Sequence, residues 1–240
     1  MTTSPNCDER PADAAIDMLV LHYTGMATAE EAIARLCDPA AKVSAHYLIK
    51  ESGEILALVP EEKRAWHAGK SYWRGKEGLN ANSIGIEIVN PGHEFGYRDF
   101  KEAQYEALIP LCREILKRHA IPARNVVGHS DIAPDRKEDP GEKFDWERLA
   151  MEGIGLWPEA LKRLSLFKDL GDGDKGERVA AMQKKLSDYG YAVVCHGEYD
   201  EATMLAALAF QRHFRQERLD AVWDWECNDR LNVLLEMAQK

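Results

Sequence analysis

Two short apolar runs in this chain each deliver a histidine, and no other feature limits the possible folds so much. Met18-Leu19-Val20-Leu21 ends in His22, and Val126-Val127-Gly128 ends in His129. Runs of this length and composition read as short strands, the first of them central. After His129 comes a polar loop that carries Pro134 and closes in Asp139-Pro140-Gly141, residues that fix its path. Lys137 stands two residues before Asp139. Two imidazoles and one carboxylate are the donors of a catalytic zinc that keeps one position open, and a lysine beside them would face negative charge developing on a substrate. A histidine after a strand is also commonly just packed or hydrogen-bonded, so the residues alone leave both readings open.

A third strand is predicted over Ser83–Val89, with Ile84, Ile86 and Ile88 on one face and Gly85 and Glu87 on the other. Glu87 then points away from the core face on a rigid support, which suits a general base, although a solvated carboxylate is the commoner fate of Glu. Ala45–Ile49 and Ile55–Val59 read as a hairpin around Gly53. Helices are expected over Thr28–Cys37 and Asp99–Ala120, the second kinked or broken near Ala107 by Pro110 and ended by Ile121-Pro122, and Trp146–Met151 with Ile154–Trp157 closes the first domain. The fold class is therefore α/β (α+β), a mixed central sheet flanked by helices. Trp66–Trp73 (WHAGKSYW) is a polar-aromatic loop that either caps the core or walls a cleft. His46 and His67 compete as metal ligands, whereas His93, His119, His196 and His213 have no partner motif and default to surface or core.

Net charge is −10, from 31 basic and 41 acidic residues, which excludes a general nucleic-acid or anionic-membrane binder. Five cysteines without framework spacing suit a reducing compartment. The first twenty residues show no basic start and apolar run of a signal peptide, and no stretch has the length of a membrane span. A cytoplasmic protein is expected; a chain whose leader had been cleaved would read the same, so the periplasm is the alternative.

Five segments occur in order: LHYTGM at Leu21–Met26, SAHYLIKESGEI at Ser44–Ile55, WHAGKSYW, NSIGIEIVNPG at Asn82–Gly92 and GHSDIAPDRKEDPG at Gly128–Gly141. Together they resemble the zinc-dependent N-acetylmuramoyl-L-alanine amidases of the AmpD/AmiD type, over roughly residues 5–157. The resemblance implies one zinc per chain on His22, His129 and Asp139, with neither His46 nor His67 among the ligands. It implies Glu87 as proton acceptor and Lys137 facing the oxyanion. It also implies a muropeptide or peptidoglycan site using Tyr23, His46, Trp66, His67, Trp73 and Asn80. A related branch of the fold has tyrosine just before the hairpin histidine; here Ala45 stands there, so a tyrosine-assisted variant is not expected.

Beyond a linker at 158–165, residues 166–240 resemble the small three-helix peptidoglycan-binding domain found beside wall hydrolases. The pattern runs through Gly171, Gly176, Val179, Gln183, Leu186, Gly190-Tyr191, Gly197, Tyr199-Asp200, Thr203 and Phe210-Gln211, and fades at Trp223-Asp224-Trp225. Asp172-Gly173-Asp174 lacks the spaced Glu of a calcium loop. With all implied catalytic residues inside 1–157, the second unit is expected to be separable, and the protein to be a monomer. The alternatives are a wall-recognition module without catalysis and a zinc endopeptidase acting on the stem peptide.

Overall fold

The computed structural model describes residues 3–159 and 167–239. Its strands are β1 (Cys7–Glu9), β2 (Met18–Tyr23), β3 (Tyr47–Ile49), β4 (Ile55–Ala57), β5 (Lys63–Ala65), β6 (Tyr72–Trp73), β7 (Lys76–Glu77), β8 (Ser83–Ile88) and β9 (Val126–Gly128). Its helices are α1 (Ala29–Cys37), α2 (Gly92–Phe95), α3 (Glu102–Arg118), α4 (His129–Ile132), α5 (Trp146–Met151), α6 (Glu177–Tyr189), α7 (Glu201–Phe214) and α8 (Trp225–Met237).

Five strands form one mixed sheet in the order β4-β3-β8-β2-β9. The pairs β3–β8, β8–β2 and β2–β9 are parallel, and β4 returns antiparallel on β3 as the expected hairpin. Leu19 pairs with Ile84 and Leu21 with Ile86, and these side chains join Tyr105, Leu108, Cys112 and Ile115 of α3 in one core. Alternation then sends His22 and its register partner Glu87 to the opposite face. Helix α1 begins in a reciprocal cap, with Glu31 N donating to Thr28 Oγ1 at 3.2 Å and Thr28 N to Glu31 Oε2 at 3.3 Å. The break expected near Ala107 is absent: α3 is assigned without interruption through Pro110. Pro110 lies on the exposed face, where water can satisfy the carbonyl it leaves unpaired.

The second sheet face is covered by the C-terminal helices. Met18, Val20, Trp73, Val127 and Ile132 share a single buried cluster with Val179, Leu186, Tyr189, Tyr191, Phe210 and Phe214. The Trp73 indole, 1% exposed, meets Tyr189 and Tyr191 edge-on at 5.9 and 5.1 Å. A Cβ on Gly190 would come within 2.8 Å of that indole, so only glycine allows the approach. Polar ties run beside it. Asp131 accepts from Tyr191 Oη and from His213 Nδ1, both at 2.7 Å, and His213 stacks on Trp146 at 3.8 Å. The separability expected from the sequence therefore meets a shared core. Residues 160–165 of the expected linker lie outside the described residues.

Trp73→Ala is expected to destabilise the protein by about 3–5 kcal/mol, the usual loss for a buried tryptophan, in a single urea transition common to both halves. Two separate transitions, with only one shifted, would show independent units.

Candidate active site

At the end of β2 and the start of α4, three buried side chains converge. His22 Nδ1 lies 3.0 Å from His129 Nδ1 and 2.9 Å from Asp139 Oδ2, and His129 Nδ1 lies 3.1 Å from the same oxygen. Their exposures are 1%, 3% and 5%. Among the described residues these form the one cluster of three His, Cys, Asp or Glu able to hold a metal ion. Three acceptor atoms this close repel one another unless a proton or cation lies among them. Bonds of ~2.0 Å to a tetrahedral ion would give an edge of roughly 3.3 Å, near the spacing found, so the donor set fits a small divalent metal. His129 Nε2 lies 3.3 Å from Ala68 O and 3.4 Å from an Arg136 nitrogen; with the ring proton on Nε2 toward that carbonyl, the Nδ1 lone pair faces the cluster. Burial, then the neighbouring His129, pushes His22 down to about 4, so it is the neutral imidazole a metal requires.

Glu87 stands beside His22 in register, 9% exposed, and its Oε2 is buried without a hydrogen-bond partner. Burial, reinforced by the Asp139 charge and opposed by Lys137, pushes its carboxyl well above the usual range. A carboxylate that lacks donors and is raised in this way is poised to take a proton. Lys137 follows α4, its N–H bonded to Ala133 O at 3.0 Å. It lines a cleft of about 330 Å³ together with Glu87, Asp139, His129, Tyr23 and Arg35. The cleft brings Glu87 and Lys137 to a common space with His129 and Asp139, both of which lie about 3 Å from His22.

Of the substrate-binding set read from the sequence, only Tyr23 and His67 line the cleft. Tyr23 does line the cleft, its hydroxyl bonded to His93 at 3.0 Å and, through burial, pushed up to about 12. His67 reaches the cleft floor, but its two nitrogens are taken by His22 and Ser83, both at 3.0 Å, so it has no proton for a substrate carbonyl. His46 is fully buried, bonded to Gly85 N and near Lys63 O. Asn80 Oδ1 accepts from the backbone of His67 and Ala68 at 3.0 and 2.7 Å. Trp66 bonds Asp8, and Trp73 is buried against the C-terminal helices. These four belong to the scaffold: His46, Asn80 and Trp66 make their bonds to other parts of the protein, and Trp73 is packed away from the cleft. Sequence reading missed Arg35, Arg136 and Glu138 on the cleft wall, since isolated charges carry no periodic signal. It also missed Asp131, whose partners Tyr191 and His213 lie 60 and 82 residues away.

A model of the N-acetylmuramoyl-L-alanine amidase family matches residues 12–142. The chain belongs to this family. AmiD of Escherichia coli K12 is 39% identical over a 242-residue alignment that covers 95% of this chain and 86% of AmiD. The solved complex of E. coli AmiD with the substrate anhydro-N-acetylmuramic acid-L-Ala-D-gamma-Glu-L-Lys superposes with a TM-score of 0.81 at 37% identity, covering 95% of this chain and 93% of that one. AmpDh3 of Pseudomonas aeruginosa, solved with anhydromuramic pentapeptide, gives 0.75 at 32% identity over 99% and 98% of the two chains. The 1,6-anhydro-N-acetylmuramyl-L-alanine amidase AmpD of E. coli K12 is 40% identical over 163 residues, 61% of this chain and 87% of AmpD. In this amidase, no helix among the described residues is long and apolar enough to cross a membrane.

The raised Glu87 carboxyl has a consequence for stability. A carboxyl raised on folding supports the fold fully below its unfolded value of about 4.3, and that support is lost as pH climbs through the folded value. Metal-free Glu87→Gln, spared the cost of an unpartnered buried carboxyl, is therefore expected to exceed metal-free wild type by about 1–3 kcal/mol near pH 7 in urea unfolding. The gap should close toward pH 4. Equal stability at pH 7 would show that Glu87 is solvated.

Proposed function

We propose that this chain hydrolyses the amide joining the lactyl group of N-acetylmuramic acid to L-alanine, in released anhydro-muropeptides or in peptidoglycan. The observation that carries the reading is the register of β2 on β8, which sets an unpartnered carboxylate beside three converging metal donors. In this reading His22, His129 and Asp139 hold one zinc. When bound, the ion supplies Lewis-acid polarisation and acidifies water.

The remaining steps belong to the chain. Glu87 accepts a proton from the attacking water as its oxygen bonds the lactyl carbonyl carbon. Lys137 faces the negative charge that builds on the carbonyl oxygen. Glu87 then returns the proton to the L-alanine nitrogen as the C–N bond breaks, giving a free lactyl carboxylate and a free peptide amine. Tyr23 and Arg35 line the cleft, and in this reading they meet the sugar and stem peptide. Helices α6 and α7 carry the peptidoglycan-binding pattern, and in this reading the C-terminal unit retains the enzyme on wall. All donors and cleft residues come from one chain, so the monomer suffices. Five unpaired cysteines fit a reducing compartment.

Mass spectrometry of products from anhydro-N-acetylmuramic acid-L-Ala-D-γ-Glu-L-Lys tests the reading. Free anhydro-sugar and intact tripeptide are expected; sugar still carrying L-alanine would mark an endopeptidase. Glu87→Gln should lower kcat by about 10²–10⁴-fold, and Lys137→Met by about 10²–10³-fold with little change in KM, both with zinc retained. A Glu87→Gln enzyme as fast as wild type would remove Glu87 from the mechanism.

A further inference from the structure

His22 can give a metal its Nδ1 lone pair only if its proton is held on Nε2. The group placed to hold it is His67, whose Nδ1 lies 3.0 Å from His22 Nε2, the two rings at 82° with centroids 5.1 Å apart. The other His67 nitrogen lies 3.0 Å from Ser83 Oγ, which lies 2.7 Å from Leu79 O. This line of groups has one consistent direction. A carbonyl oxygen only accepts, so Ser83 donates to Leu79 O. Its single proton thus used, Ser83 accepts from His67 Nε2–H. A neutral imidazole protonated at Nε2 has a bare Nδ1, which accepts from His22 Nε2–H. His22 is left with its lone pair on Nδ1, aimed at His129 and Asp139.

We propose that His67 is a positioning residue that fixes the tautomer and ring angle of His22 for the metal, on a loop that orients both ligand histidines. The inference rests on the zinc reading above. Several features of the chain serve this seat. His67 and Ser83 are 5% and 0% exposed, so water does not compete for the line. A Cβ at Gly85 would lie 2.4–2.7 Å from three His67 ring atoms; glycine there lets the imidazole lie against β8. Asn80 clamps the backbone of His67 and Ala68. The Ala68 carbonyl receives His129 Nε2 at 3.3 Å and Arg136 at 2.6 Å. One short loop therefore sets the proton on the far nitrogen of each ligand histidine.

The test compares wild type, His67→Leu, His67→Asn and Ser83→Ala by zinc affinity, measured against a chromophoric chelator, and by the d–d spectrum of the Co²⁺-loaded protein. Leucine keeps the volume without an acceptor, while asparagine places Oδ1 where Nδ1 was. His67→Leu should bind zinc about 10–100-fold more weakly and shift the cobalt spectrum, and His67→Asn should recover most of both. Ser83→Ala, the mildest change, should weaken zinc binding while the metal-free protein still folds, and it decides the matter should His67→Leu fail to fold. Wild-type affinity in His67→Leu or Ser83→Ala overturns the proposal, as does equal impairment by leucine and asparagine, which would mean mere space filling. Failure of the wild type itself to bind zinc would instead overturn the metal reading, and this inference with it.

Discussion

In the parallel centre of the sheet, His22 stands opposite Glu87 and Leu21 opposite Gly128. With β2 flanked by two strands running its own way, three carboxyl-terminal strand ends reach one edge, where ligand sites of such sheets form. His129 leaves β9 level with His22, and the loop beyond it returns Asp139 to the same point. The register also decides faces. Leu19 and Leu21 are needed under α3, so His22 and Glu87 must emerge on the other side; a slip of one residue would exchange them. The apolar packing of the sheet thus holds the reactive groups where they are.

That arrangement is costly in electrostatic terms. Three acceptors lie about 3 Å apart, and a carboxylate oxygen beside them is buried without a donor. Structure elsewhere compensates. The loop bearing His129, Lys137 and Asp139 is gripped along its length from the C-terminal helices: Asp131 by Tyr191 and His213, Glu138 by Arg212 at 2.7 Å, and the Phe144 carbonyl by Gln216 at 2.7 Å. Helices that the sequence presents as a wall-binding attachment thereby also brace the catalytic loop.

The two strand-end histidines and the face of Glu87 were legible because their signals are local: an apolar run ending in histidine, and an alternation that places Glu87 opposite the isoleucines. Only the family resemblance decided for Asp139 and the histidines together as candidate metal donors rather than packed groups. The mixed sheet and the hairpin followed from the same alternation. What the loop 66–80 does was not legible. Trp66, Trp73 and Asn80 look alike in sequence whether they wall a cleft or build a core, and the groups that decide, Tyr189, Tyr191 and the backbone of His67 and Ala68, meet them only in three dimensions. Pro110 misled for a related reason: its penalty depends on which helix face it occupies, and α3 turns it to solvent.

Anomalous diffraction at the zinc edge from crystals of the full chain tests the central claim most directly. The account predicts one peak per chain, bonded to Nδ1 of His22, Nδ1 of His129 and a carboxylate oxygen of Asp139, with His67 Nδ1 still against His22 Nε2. A peak ligated by His46 or His67, one bound through Nε2 of His22, or no peak from zinc-saturated protein would contradict it.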